Sequence, residues 1–218
     1  MRFVPLRRAL IETAREMNAC GLNQGTSGNV SVRTEDGFLI TPTGMLYETL
    51  KLEDLVEVRN DGRVDAWQRL PSSEWRMHRD VYRVRPEAGA VFHCHPMFAT
   101  TLSILRREIP AVHYMIAVTG AARVRCGGYA TFGSEELSAY TLEALEGCNA
   151  ALMANHGLIT LGPDLGGALR IAREVENIAA QYWRALQVGI PFVLDDDEMT
   201  RVLAKFRTYG QQSRDRRD

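Results

Sequence analysis

Three histidines at the ends of two short apolar segments constrain this chain more than any other feature. His93 and His95 end one such segment, and His156 follows another and precedes Gly157. Residues two positions apart on a β-strand point to the same face, so the two imidazoles point together while Cys94 points away. Three neutral imidazoles with an open fourth position are typical of a catalytic zinc site. The pattern therefore predicts a metal centre. Two alternatives remain open: the histidines could be ordinary core or surface residues, and Cys94 could be a minor alternative ligand.

The rest of the chain alternates between helical and strand patterns, which indicates one α/β domain with helices on both faces of a sheet. Helices are predicted over residues 6–20, from Ser72 or Ser73 to 85, after Pro96, from Ser134 to 147, over 165–188 and over 198–206. Strands are predicted over residues 30–32, 38–41, 89–95, 111–118, 150–154 and 158–161. We expect a single domain over 1–218, with a frayed, charged tail at 211–218.

The charge balance and the cysteines argue against several classes of function. The chain has 26 basic and 27 acidic residues, and a net charge of −1 does not suit a general binder of nucleic acid or of an anionic membrane. No apolar run reaches the ~18 residues that cross a bilayer, and the N-terminal segment lacks the apolar region of a signal peptide. The four cysteines include no C-x-x-C pair. We therefore expect reduced cysteines and a cytoplasmic protein.

Lysine chemistry has few candidates in this chain. Lys51 and Lys205 are the only lysines, the first in a charged stretch and the second on the last predicted helix. A Schiff-base lysine needs a desolvated setting that lowers its pKa, and neither position indicates one. A metal-dependent mechanism is favoured over a Schiff-base mechanism on this ground alone.

A carboxylate follows two hydroxyl side chains at a predicted helix start, in Pro71-Ser72-Ser73-Glu74. Free backbone N–H groups at a helix N-terminus bind anions, so a phosphate monoester could lie against these serines. The loops at residues 25–29 and 43–44 could donate further N–H groups. The same residues could equally be only a good cap and two turns. Glu74 could be a capping acid, a fourth metal ligand or a general base, and His78 could be its partner or a surface residue.

Taken together, these motifs resemble the class II aldolase/adducin family, and most closely its L-fuculose 1-phosphate aldolase branch. The matching stretches occur in order along nearly the whole chain: 21–33 (GLNQGTSGNVSVR), 39–44 (LITPTG), 70–76 (LPSSEWR), 93–95 (HCH), 109–117 (IPAVHYMIA), 129–133 (YATFG), 155–157 (NHG) and 205–210 (KFRTYG). Jointly they are specific for the family and fairly specific for the branch.

The resemblance implies a three-layer α/β/α fold with a mixed, mostly antiparallel sheet, assembled as a homotetramer whose sites lie between subunits. It implies Zn²⁺, or another divalent metal such as Mn²⁺ or Co²⁺, held by His93, His95 and His156. Glu74 is implied as a resting metal ligand and as the acid/base in turnover. Tyr114 is implied to serve the aldehyde oxygen in a neighbour's site, and Tyr209 to close over the substrate. The implied phosphate residues are Gly28, Asn29, Thr43, Gly44, Ser72 and Ser73.

The implied activity is reversible, metal-dependent cleavage of a ketose 1-phosphate to dihydroxyacetone phosphate and an aldehyde. The apolar Met97 and Phe98 after the histidine pair could merely pack a helix start, or could suit a salvage substrate such as 5-deoxyribulose or 5-methylthioribulose 1-phosphate. A pentulose-phosphate epimerase or a dehydratase on the same fold is a further alternative. A metal-free scaffold of the adducin kind is the alternative outside enzymes.

Overall fold

The computed structural model describes residues 1–208, and its centre is a seven-stranded sheet. The strands lie in the order β3-β2-β1-β4-β7-β6-β5. Neighbouring strands are antiparallel except for the parallel pair β5 and β6. Their bounds are β1 Asn29–Thr34, β2 Gly37–Ile40, β3 Val56–Arg59, β4 Ala90–Cys94, β5 Cys126–Gly127, β6 Ala150–Met153 and β7 Gly157–Gly162. The mixed, mostly antiparallel sheet is confirmed.

Helices cover both faces of this sheet, which confirms the three-layer α/β/α architecture. One core lies between the sheet and α1, α3 and α5, and the other between the sheet and α2 and α4. The helices are α1 Val4–Ala19, α2 Trp75–Val84, α3 Met97–Ile104, α4 Glu135–Ala144, α5 Leu165–Val188 and α6 Asp196–Phe206. No helix within the described part of the chain is long and apolar enough to cross a membrane.

Strand alternation on β4 separates the two cores and places the site. Phe92 and Cys94 pack in the core under α1, α3 and α5, whereas Val91 packs in the core under α2 and α4. His93 lies on the same face as Val91 because residues two apart share a face. The imidazole of His93 therefore faces α2, which follows Glu74 in the chain, and Cys94 points to the opposite side as predicted.

Several boundaries differ from the sequence-based predictions. The strand predicted over 111–118 is wrong, because Tyr114–Thr119 forms a 3₁₀-helix. Its N-cap is His113, whose Nδ1 accepts a hydrogen bond from Met115 N at 3.2 Å. Ile116 is fully buried, and an apolar run cannot by itself distinguish a buried strand from a buried turn of helix. β3 and the two-residue β5 lie where the sequence predicted no strand.

The start of α2 also differs. The helix begins at Trp75 with Glu74 as its N-cap, so a helix capped by Ser72 or Ser73 is wrong. The Ser72 hydroxyl instead accepts a hydrogen bond from Glu74 N at 3.3 Å and stabilises the turn before the helix. Glu74 itself is buried, and its carboxyl group accepts a hydrogen bond from Asn29 on β1.

Candidate functional site

The three histidines meet because β4 pairs with β7. Cys94 lies opposite Leu158 in this register, and His156 belongs to the turn that joins β6 to β7. The turn approaches β4 very closely, since a Cβ added to Gly157 would lie 2.5 Å from the carbonyl oxygen of Cys94 and 2.7 Å from the ring of His95. Glycine is therefore the residue that this hairpin needs beside the histidine pair.

The imidazole nitrogens converge on one point. His93 Nε2 lies 3.0 Å from His95 Nε2 and 3.2 Å from His156 Nε2, and the three ligand atoms lie within 4.8 Å of one another. His93 Nδ1 donates to the carbonyl oxygen of Leu158 at 3.0 Å, which leaves the Nε2 lone pair for a cation. Three imidazole nitrogens this close together are the arrangement that a divalent metal ion binds.

Glu74 completes this group. Its Oε2 lies 3.2 Å from His93 Nε2, and its Oε1 lies 3.4 Å from His156 Nε2. Asn29 Nδ2 donates to Oε2 at 3.0 Å, but Oε1 is buried without a hydrogen-bond partner among the described residues. A buried, unpaired carboxylate oxygen beside three imidazoles fits a metal ion, because imidazole and carboxylate are donors that Zn²⁺ accepts.

The protonation of these groups follows from burial and from one another. Burial lowers the pKa of His95 to about 3 and that of His156 to about 4, so both imidazoles are neutral at neutral pH. Burial would raise the pKa of Glu74, but His93, His156 and the hydrogen bond from Asn29 together outweigh burial and hold that pKa well below its usual range. Burial opposes the charged form of His93, while Glu74 raises the pKa of His93 above its ordinary value. Glu74 is therefore a carboxylate at neutral pH.

A cavity of about 240 Å³ opens beside the histidines and Glu74. His95, His156 and Glu74 contribute to its wall. The same wall contains every residue that the resemblance implied for phosphate, namely Gly28, Asn29, Thr43, Gly44, Ser72 and Ser73. Hydroxyl groups, an amide and two glycine-containing loops in one polar cavity can bind an anion through N–H and O–H donors.

Tyr114 is not among the residues that line this cavity. Tyr114 is half-exposed, stacks on the ring of His113 with centroids 4.8 Å apart, and borders a different cavity of about 560 Å³ next to α6. Tyr209 lies outside the described residues. The roles implied for both tyrosines stay predictions.

Sequence analysis did not identify Phe132 or Glu176 as residues near the site, and it left the role of His78 open. Phe132 lines the 240 Å³ cavity, and its neighbour Gly133 approaches Ser73 so closely that an added Cβ would lie 2.7 Å from that carbonyl oxygen. Glu176 on α5 accepts hydrogen bonds from Phe98 N at 2.9 Å and Ala99 N at 2.8 Å, and so caps α3 directly after the histidine pair.

The sequence carried a signal for Glu176, because it lies on the apolar stripe of α5 between Ala172 and Ala179, where a lone acid requires a partner. His78, left open as a partner or a surface residue, is fully buried and contacts Asn29. Burial and the neighbouring His93 lower the pKa of His78 to about 3.

Comparison with known proteins agrees with this geometry. The family model described as Class II Aldolase and Adducin N-terminal domain matches residues 8–183. The chain belongs to the class II aldolase and adducin family. Proteins of the class II aldolase family are metal-dependent, and the His93, His95 and His156 cluster is where this member could hold its metal.

Two relatives of this class II aldolase family member have different substrates in their names. The chain is 49% identical over 212 residues to the 5-methylthioribulose-1-phosphate/5-deoxyribulose-1-phosphate aldolase of Rhodospirillum rubrum, covering 96% of this chain and 95% of the relative. It is 48% identical over 211 residues to the L-fuculose phosphate aldolase of Haemophilus influenzae, covering 96% and 97%. A solved L-fuculose 1-phosphate aldolase superposes with a TM-score of 0.92 at 39% identity, covering 95% of this chain and 98% of that one.

Proposed function

We propose that this protein is a zinc-dependent aldolase that cleaves a ketose 1-phosphate between C3 and C4, releasing dihydroxyacetone phosphate and an aldehyde. The observation that carries the proposal is the shared wall of one cavity, where His95, His156 and Glu74 lie beside six donors suited to phosphate. A cavity whose wall can bind a metal ion at one end of a ligand and a phosphate at the other suits a small phosphorylated sugar.

The metal-proximal half of the reaction uses four side chains. His93, His95 and His156 would hold the zinc ion, with Glu74 as a fourth ligand at rest. A zinc ion held there would supply Lewis-acid stabilisation of the negative charge that develops during cleavage. Glu74 moves the proton at C3: its carboxylate accepts that proton in the condensation direction, and its carboxyl group returns it after cleavage. Its unpaired Oε1 is the oxygen available for this transfer.

The phosphate group is proposed to lie against Gly28, Gly44 and the hydroxyls of Thr43, Ser72 and Ser73, with Asn29 between them and Glu74. None of these groups reacts. Their binding energy holds C3 of the substrate within reach of Glu74, and binding remote from the broken bond is an established source of rate enhancement.

The aldehyde half is proposed to include Tyr114, whose phenol exchanges a proton with the leaving carbonyl oxygen, and Tyr209, which closes over the substrate. Salvage substrates are a second candidate for this half. Phe132 lines the cavity with an apolar ring that is 66% exposed, and such a ring suits the terminal group of 5-deoxyribulose or 5-methylthioribulose 1-phosphate.

We further propose a homotetramer with sites between subunits. Val188, Ile190 and Phe192 lie at alternate positions within five residues of the chain, and each is more than nine-tenths exposed. Contiguous exposed apolar side chains mark protein interfaces. The described lining of the cavity beside Tyr114 does not include His93, His95 or His156, so the proposed role of Tyr114 requires a neighbouring subunit. The cytoplasmic location stays a prediction.

The test is triose-phosphate release from L-fuculose 1-phosphate, 5-deoxyribulose 1-phosphate and 5-methylthioribulose 1-phosphate, each with and without a chelator. We expect chelator-sensitive release that zinc restores. The ranking of kcat/KM separates the fuculose type from the salvage type. Zinc-loaded protein that releases no triose phosphate from any of the three would refute the aldolase and favour an epimerase or a dehydratase.

A further inference from the structure

A row of buried polar side chains leads from the second core to Glu74. It consists of Tyr82, Ser31, His78 and Asn29, of which Ser31 and His78 have no exposed surface. We propose that His78 is a positioning residue that sets the orientation of the Asn29 amide and thereby keeps the Asn29 NH₂ group on Glu74. The effect of His78 on turnover rests on the proposed aldolase function.

The Asn29 side chain can work in only one of its two amide orientations. Nδ2 lies 3.0 Å from Glu74 Oε2 and 2.9 Å from Ser72 Oγ. A carboxylate accepts and cannot donate, so the NH₂ group must face Glu74 and the carbonyl oxygen must face away. Turning the amide by 180° would place its carbonyl oxygen against the carboxylate and lose both donors.

His78 contacts the carbonyl end of that amide. Its Nε2 pairs with Asn29 Oδ1, which can only accept, so Nε2 must carry the ring proton. Nδ1 of the neutral ring is then an acceptor, and it lies 2.6 Å from Ser31 Oγ. Tyr82 OH lies 2.8 Å from the same Oγ and can donate to it once Ser31 has donated to His78.

The donors and acceptors therefore run in one direction, from the Tyr82 hydroxyl through Ser31 and His78 to Asn29 and Glu74. Each link has one consistent assignment, and reversing any of them leaves a buried group unpaired. Because buried polar groups without partners are costly, the row holds one arrangement. An apolar residue at position 78 would free the Asn29 amide to turn.

The matched variants are His78→Met and His78→Gln. Methionine fills similar space without a donor, whereas the amide NH₂ of glutamine can occupy the position of Nε2 and still donate to Asn29. We expect His78→Met to lower kcat by about 10- to 100-fold, the effect of one lost buried hydrogen bond. We expect His78→Gln to recover most of it. Tyr82→Phe is the control, since it removes a buried hydroxyl but leaves Ser31 donating to His78.

A double-mutant cycle separates positioning from general destabilisation. If His78 acts through Asn29, His78→Met has no further effect on kcat in an Asn29→Ala background. Equal effects in both backgrounds, or failure of His78→Gln to recover more than His78→Met, would overturn the proposal. Denaturant unfolding of each variant records the loss of stability separately.

A spectroscopic readout tests the same orientation without turnover. We expect ¹⁵N chemical shifts of the His78 ring in the zinc-loaded protein to report the Nε2–H tautomer. An Nδ1–H or doubly protonated ring would overturn the proposal. If the wild type releases no triose phosphate while the Nε2–H tautomer is found and His78→Met weakens inorganic phosphate binding, the aldolase function fails and the positioning role stands. If the wild type is active and His78→Met matches it, the positioning role fails.

Discussion

The two halves of the candidate site are built differently. The half proposed for metal and phosphate is made of buried side chains that hold one another, with His93 fully buried and Asn29 bonded to both Ser72 and Glu74. The half proposed for the aldehyde presents Tyr114 and Phe132 with large exposed fractions, and Tyr114 borders another cavity. One chain thus preorganises the part of the site suited to dihydroxyacetone phosphate. The part proposed to select the aldehyde is exposed in the single chain.

The substrates named for the relatives show the same contrast between the two halves. Proteins at 49% and 48% identity are named for methylthioribulose or deoxyribulose phosphate and for fuculose phosphate. Their named substrates contain the same dihydroxyacetone phosphate half and differ in the aldehyde. Interlocked hydrogen bonds restrict change, because altering one partner leaves another buried and unpaired. Exposed side chains without such bonds can be exchanged at small cost in stability.

Breaking the buried half at a metal ligand has the largest expected effect. We expect His95→Ala to weaken zinc binding by more than about 100-fold and to abolish activity, since even loss of a residue that only orients a ligand costs 10- to 100-fold. Cys94→Ala is the matched control, because Cys94 packs in the opposite core and should keep its zinc while losing some stability. Metal content and urea unfolding check both. Zinc bound at full stoichiometry in His95→Ala would contradict the assignment.

Removing the proton-transfer group without removing the metal comes next. Glu74→Gln keeps the shape of the side chain and one oxygen near His156, so we expect zinc and inorganic phosphate to bind with little change. We expect kcat to fall by ~10²- to 10⁴-fold, the usual contribution of general acid–base catalysis. Measured kcat values, with zinc content from the same samples, check this. An unaltered kcat would remove Glu74 from proton transfer.

Whether Tyr114 of the exposed half acts in a neighbouring subunit's site can be tested by refolding two variants of low activity together. We expect Tyr114→Phe to lower kcat by about 10- to 100-fold while changing the free energy of unfolding by less than ~0.5 kcal/mol. If sites lie between subunits, mixing unfolded His95→Ala and Tyr114→Phe chains and refolding them together restores activity above that of either. A mixture of His95→Ala with Glu74→Gln has both changes in the buried half and should restore none. Equal activities in both mixtures would place Tyr114 in its own chain's site.

The smallest expected effect concerns the loop that carries the phosphate residues. Gly28 has φ 71°, and a Cβ there would lie 2.7 Å from the carbonyl oxygen of His93. Gly25 has φ 62° with open space around it. We expect Gly25→Ala to cost about 1 kcal/mol from backbone strain alone. Gly28→Ala should cost more and raise KM for the phosphorylated substrate, because β1 must move away from β4. Equal unfolding free energies would show that the close approach is unimportant.

Much of the architecture was predictable because its signals are local. The helices, the strands of the central sheet and the opposite directions of His93 and Cys94 follow from periodicities of 3.6 and 2 residues along one segment. The apolar run at 111–118 misled the prediction, because burial and not strand pairing explains its composition. Edge strands β3 and β5 were missed, since short strands carry too few alternations to be distinct. The single-domain boundary and the tail remain predictions.

The sequence by itself determined the chemistry that is available: three imidazoles, a carboxylate after two serines and glycine-containing loops. Only the tertiary structure decided which of them meet. The pairing of Cys94 with Leu158 brings His156 to the histidine pair, and Glu176 caps α3 from a helix 77 residues away. It also buried His78 and gave it Asn29 as a partner. The physical reason is that side-chain direction is a property of one segment's backbone, whereas contact between segments depends on register and packing across the whole sheet.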